Sequence, residues 1–118
     1  MSNSEIEQFR NDWRYKFNAQ DLGKGELEWY VFSCKRYPLY WESREADQKY
    51  KEIYVKEFVI DDGENGYQCF SQHLPNLDKL KSATKDFGIL YDLFISHKNL
   101  KWTFVITHEE DVGPYFAK

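Results

Sequence analysis

Two apolar runs near the end of the chain form the clearest pattern of hydrophobic and polar positions. Residues 89–96 and 100–107 are rich in aromatic and β-branched side chains, and the polar residues 97–99 connect them. Two such runs with a short polar connector are typical of a β-hairpin. Residues 113–116, Gly-Pro-Tyr-Phe, stay apolar almost to the end, so we expect them to dock on the body of the protein.

Three segments predict helices. Residues 4–18 begin with the capping-box pair Ser4 and Glu7 and then place apolar residues at three- and four-residue steps. Residues 43–51 are charged and helix-friendly, Ser43 suits the N-cap, and Ala46 and Tyr50 mark a thin apolar side. Residues 77–87 repeat apolar positions at helical spacing, and the glycine that follows suits the C-terminal end.

The other apolar segments predict strands. Residues 26–34 become continuously apolar, which favours a strand in the middle of a sheet. Residues 53–60 and 67–71 favour two more strands, and residues 61–66 between them contain Asp-Gly and Asn-Gly, which are typical of a tight turn.

This order of elements predicts the fold class. We expect an α+β protein in which residues 1–118 form a single domain, with a largely antiparallel sheet of about five strands. The pattern further predicts about three helices, all on one face of that sheet.

Composition and charge narrow the choice of partner. The chain has nine Tyr, nine Phe and four Trp, which either fill the core or form an exposed binding face. The formal net charge is −4, and contacts to phosphate backbones are made mainly by Lys and Arg, so nucleic acid is not the expected partner. A basic protein is the electrostatically favoured partner.

The beginning of the chain and its apolar runs predict a location. The first residues lack the basic and apolar regions of a signal peptide, and no apolar stretch approaches the roughly 20 residues that span a bilayer. We therefore expect a cytoplasmic protein without membrane attachment. No dinucleotide or phosphate-loop motif is present, and we expect no cofactor.

His108 is the histidine in the most suggestive surroundings, since acidic residues follow it directly. One interpretation is a metal site completed by His73 or His97, or an acid/base histidine. The alternative is that His108 only holds the end of a strand. Cys34 with His108 or His73 is a candidate nucleophile pair, but Cys34 sits in an apolar segment and is better explained as a buried thiol.

Two acidic clusters follow two predicted strands. If those strands run parallel to each other, the clusters emerge at the same edge of the sheet and form a negative patch that attracts a basic protein. Tyrosine rings near the clusters would anchor that partner. The alternative is two solvated turns. The predicted partner-binding residues are Asp61, Asp62, Glu64, Tyr67, Glu109, Glu110, Asp111 and Tyr115.

The end of the chain resembles a known pattern. Residues 102–109, Trp-Thr-Phe-Val-Ile-Thr-His-Glu, and residues 113–116 resemble a family of small bacterial proteins of unknown function whose members end in W-T-x-V-x-T-H-E and G-P-Y-F. Residues 29–33 match a further aromatic segment of that family. The resemblance implies one compact bacterial domain and no particular activity.

Together these features predict a non-enzymatic binding protein. The leading hypothesis is an immunity-type inhibitor that neutralises a basic bacterial toxin through an acidic, aromatic surface. One alternative is a small enzyme or metal-binding protein that uses His108 and nearby carboxylates. Another is a structural protein that forms a homodimer through an apolar strand edge.

Overall fold

The computed structural model describes most of the chain and confirms the α+β class. The described residues are 1–19, 29–33, 35–54, 57–70, 74–86, 92–107 and 113–118. Their helices are α1 (Asn3–Lys16), α2 (Tyr30–Ser33), α3 (Ser43–Lys51) and α4 (Leu77–Asp86). Their strands are β1 (Tyr40–Glu42), β2 (Glu57–Asp61), β3 (Gly66–Phe70), β4 (Leu93–His97), β5 (Thr103–Ile106) and β6 (Tyr115–Ala117).

These six strands form one sheet in the order β1-β6-β5-β4-β2-β3, and every neighbouring pair is antiparallel. Both predicted hairpins, β2–β3 and β4–β5, are confirmed. The predicted docking of the tail is also confirmed, because β6 pairs with β1 and β5. Since β4 pairs antiparallel with both β2 and β5, those two strands run parallel to each other and end at the same edge of the sheet.

Helices cover both faces of the sheet, so the prediction that they share one face is wrong. On one face, Trp13 of α1 and Phe32 of α2 pack with Val105. On the other, Tyr50 of α3 and the first residue of α4 pack with Phe104. Neighbouring residues of a strand point to opposite faces, and β5 is buried at every position, so both faces need a covering layer.

Residues 29–33 do not form the predicted central strand. Within them lies the four-residue helix α2, and Trp29, Val31 and Phe32 are buried. The ring of Phe32 lies 6.0 Å from Phe17 and 5.6 Å from Tyr115, so it joins α1 to the tail. A short apolar run does not distinguish a buried strand from a buried helical turn. The rest of the predicted strand, including Cys34, lies outside the described residues.

The helix starts also differ in detail from the sequence prediction. The capping box of α1 uses Ser2 and Glu5, two positions before the predicted pair. α3 occupies the predicted range, but Ser43 is not its N-cap. Instead, the Ser43 hydroxyl donates to the Gly113 carbonyl at 3.3 Å, and its N–H donates to the Pro114 carbonyl at 2.8 Å. These bonds join the start of α3 to the chain entering β6.

Candidate functional site: a hairpin tip and a sheet edge

The turn between β2 and β3 is ordered by its own side chains. We call Asp62, Gly63, Glu64 and Asn65 the hairpin tip. Asp62 Oδ1 accepts the backbone N–H groups of Glu64 at 3.0 Å and Asn65 at 2.6 Å. Gly63 has a φ of +93°, which glycine adopts without steric cost. The predicted Asp-Gly turn is therefore confirmed, and it presents the exposed carboxylate of Glu64 to solvent.

Asp61 lies at the base of the hairpin tip, where its side chain is buried and does not form part of an exposed binding surface. It is only 8% exposed, and its carboxylate accepts two bonds from Arg10 of α1, from Nε and Nη2, each at 2.9 Å. The same carboxylate accepts the Gly63 N–H at 2.9 Å. The hydrogen bond to Asp61 is the main cause that raises the pKa of Arg10. This bidentate pair joins α1 to the base of the tip.

β3 places two exposed aromatic rings at the outer edge of the sheet. Tyr67 is 50% exposed and Phe70 is 75% exposed. Their positions along β3 differ by an odd number of residues, so their side chains lie on opposite faces of the sheet. The two rings therefore lie on the same edge strand, β3, but on different faces of the sheet. The sequence pattern does not identify Phe70, because a residue inside an apolar strand gives no sign of its exposure.

Polar contacts surround the base of this edge on the α1 face. Glu57 accepts a hydrogen bond from Gln68 and lies 3.2 Å from the Lys98 ammonium. Burial raises the pKa of Glu57, but these two contacts outweigh it and hold the pKa below its usual value. A groove of about 410 Å³ lies between α1 and this part of the sheet, and the acidic residues Glu5 and Asp12 line it with Lys98.

Tyr115 is not part of an exposed surface. It is 2% exposed, and its ring stacks on Trp29 with centroids 6.0 Å apart and planes at 18°. It also pairs with Val105 of β5 and Glu42 of β1. The role of Tyr115 is therefore in the core, where it helps to fix β6 between its neighbours.

The second acidic cluster and the weak metal candidate fall outside the described residues; they are Glu109, Glu110, Asp111 and His108. The strand register does show where β2 and β5, the strands that precede the two acidic clusters, lie relative to each other. Asp61 lies beside Phe94, and Phe94 lies beside Val105, so β2 and β5 end within one residue of each other at the same edge of the sheet. The parallel arrangement that the acidic-patch hypothesis requires is present.

A second concave region lies on the opposite face, between α3 and α4. Its volume is about 490 Å³, and Tyr50, Tyr54 and Leu77 are among the residues that line it. Tyr50 donates its hydroxyl to the Pro75 carbonyl at 2.5 Å, and burial raises its pKa. Tyr54 is 97% exposed, although its apolar surroundings in the sequence predict a strand.

Among the residues that the structure describes, His97 is the one histidine. Its Nδ1 accepts the Asn99 N–H at 2.9 Å, and burial is the main cause that lowers its pKa. The described ranges contain no group of three His, Cys, Asp or Glu side chains placed to hold a metal ion. His73 and His108 lie outside those ranges.

The geometry defines a small α+β protein with an antiparallel sheet between two helical layers and an exposed edge strand. No described helix is both long and apolar enough to cross a bilayer. A family model described as a domain of unknown function, DUF4275, matches residues 6–116. The chain belongs to the DUF4275 family. No curated protein and no solved structure matches it.

Proposed function

We propose that this protein is a non-enzymatic inhibitor of the immunity type, which binds a basic protein toxin through its hairpin tip. The main observation behind the proposal is the set of hydrogen bonds that hold the hairpin tip and its base in place. The partly buried Arg10–Asp61 pair and the Asp62 side chain hold a charged turn in one conformation beside the exposed Tyr67 ring. Such an inhibitor would act in the cytoplasm.

Three physical features support this proposal. A turn that is ordered before binding loses little conformational entropy when a partner engages it. The Glu64 carboxylate projects from a chain of net charge −4, so the field favours encounter with a basic surface. Tyr67 adds an aromatic ring with a polar tip, the kind of side chain that concentrates binding energy at protein interfaces.

An affinity capture from the organism that makes the protein tests the proposal. The bait variant combines Asp62→Asn with Glu64→Gln, because asparagine keeps the Oδ1 acceptor that orders the turn. The matched control combines Glu45→Gln with Glu52→Gln, which removes the same charge from exposed positions at α3. Wild type and control should each capture one stoichiometric basic protein.

The folded hairpin-tip variant should lose that protein, with an affinity lower by about tenfold or more. Circular dichroism and a thermal melt would establish that the variant is folded. Capture of no basic protein by wild type, or equal capture by the hairpin-tip variant, would refute the proposal. If a partner is captured, its own activity, and whether the wild-type protein blocks that activity, identify the toxin class.

A further inference from the structure

Within its own five residues, β3 lacks the charged side chains and prolines that often prevent edge strands from pairing. Its five residues include no charge and no proline, whereas many proteins place lysine, proline or a bulge at such an edge. The strand at the other side of the sheet, β1, is three residues long and includes Glu42. Within the described part of the chain, β3 pairs with β2 alone.

The hairpin fixes which backbone groups of β3 point outward. The Asp62 N–H donates to the Asn65 carbonyl at 3.1 Å, so this pair is hydrogen-bonded. Hydrogen-bonded and non-hydrogen-bonded pairs alternate along antiparallel strands. The residues Gly66, Gln68 and Phe70 therefore direct their N–H and C=O groups away from β2, toward the open edge.

We propose that a second copy of this chain occupies this edge, with the two β3 strands antiparallel about a two-fold axis at Gln68. In this register Gln68 faces the partner's Gln68, and Phe70 faces the partner's Gly66. A two-fold axis perpendicular to the sheet keeps equivalent faces on the same side. Ile6 of its own chain already covers that glycine, so each exposed Phe70 ring packs beside the partner's Ile6 and its exposed Met1 side chain.

The remaining positions are compatible with this register. Tyr67 faces the partner's Cys69 on the other side of the sheet, and no like charges meet because β3 is uncharged. The Met1 ammonium donates to the Gly66 carbonyl at 3.2 Å, and a carbonyl has a second lone pair for a further donor. Both hairpin tips, residues 62–65 of each chain, lie outside the paired segment of residues 66–70.

Analytical ultracentrifugation over a concentration series tests the proposal. An interface built on five-residue strands is small, and small interfaces are weak, so we expect the mass to rise from 14.3 kDa toward twice that value by about 100 µM. The variant Gln68→Lys places two like charges opposite each other at the axis, while Glu57 can still pair with it within one chain. It should raise the dimer dissociation constant by about tenfold or more.

Gln48→Lys is the matched control, because Gln48 is an exposed glutamine beside Glu52 on α3. It should dimerise as wild type does. A wild type that stays monomeric at about 100 µM, or an unchanged dimer in Gln68→Lys, would overturn the proposal.

A cross-linking variant keeps the proposal testable if Gln68→Lys fails to fold. Opposed residues of a hydrogen-bonded pair have Cα atoms about 5.5 Å apart, which a disulfide can bridge. The combination Gln68→Cys with Cys69→Ser should therefore form a covalent dimer under mild oxidation. Gln48→Cys with Cys69→Ser should not. Absence of the cross-link at position 68, or equal cross-linking at position 48, would count against the register.

Discussion

Gly66 marks a point where α1 lies close against the sheet, and a single methyl group there tests the packing. A Cβ added at Gly66 would lie 2.2 Å from Cδ1 and 2.6 Å from Cγ1 of Ile6. Ile6 is 3% exposed, so its side chain has little room to move. The change Gly66→Ala must therefore displace α1 from β3 or distort the Ile6 rotamer.

The size of the effect follows from two opposing contributions. Overpacking a well-filled site costs about 1–3 kcal/mol, and replacing glycine restricts the unfolded chain and returns about 0.4–1 kcal/mol. We expect Gly66→Ala to lower the free energy of unfolding by about 1–2 kcal/mol. Ile6→Ala alone should cost about 2–4 kcal/mol by leaving a cavity.

The double variant separates steric conflict from other causes. Ile6→Ala removes both short contacts and leaves only Cβ, at 3.1 Å from the added methyl. The methyl of Gly66→Ala would then fill part of the cavity, so the double variant should be no less stable than Ile6→Ala. The coupling in this double-mutant cycle should be about 1–2 kcal/mol.

Urea unfolding followed by tryptophan fluorescence measures all four corners of the cycle. Gly63→Ala is a useful control: an added Cβ there meets nothing within 4 Å, but φ is +93°. Its cost comes from backbone strain and should not be relieved by Ile6→Ala. Additive effects of the Gly66 and Ile6 changes, or a neutral Gly66→Ala, would refute the close approach of α1.

Two further changes test the support of the hairpin and the pH response. Arg10→Ala leaves the Asp61 carboxylate mostly buried without its partner, so it should lower the free energy of unfolding by about 2–4 kcal/mol. The control Arg44→Ala removes an exposed arginine and should leave the free energy of unfolding unchanged, and equal effects of the two changes in urea unfolding would contradict this expectation. Burial lowers the folded-state pKa of His97, so the stability it contributes is complete above its ordinary value of 6.5 and is lost as the pH falls through the lowered pKa. The melting temperature of His97→Gln should therefore fall less than that of wild type between about pH 7 and pH 5, and parallel profiles would rule out this role.

Local sequence patterns predicted those helices and turns whose own residues show a characteristic spacing or composition. α3 and α4 follow from apolar residues at helical spacing, and the hairpin tip follows from Asp-Gly. The segment at 29–33 was predicted wrongly because an unbroken apolar run fits a buried strand and a buried helical turn equally well. Its true form depends on the space between α1 and β6, which no local pattern encodes.

The candidate site was only partly predictable for a similar reason. The acidic turn was found, but the burial of Asp61 depends on Arg10, which comes from a helix far away in the sequence. The burial of Tyr115 depends on the insertion of β6 between β5 and β1. The exposure of Phe70 depends on β3 lying last in the sheet, and strand order is a property of the whole chain.

The position of β6 has a consequence for the way the protein is made. Residues 40–42 leave the ribosome long before residues 115–117 are synthesised, yet the strand pairing of β1 within the described sheet is with β6. α3 contacts the same two strands, so its apolar side also waits for the last strand. A nascent chain therefore exposes an unpaired strand and part of a helical layer until residues 115–117 have been synthesised. Such surfaces are the kind that chaperones engage, and cotranslational assembly of this domain should depend on them more than folding of the released chain does.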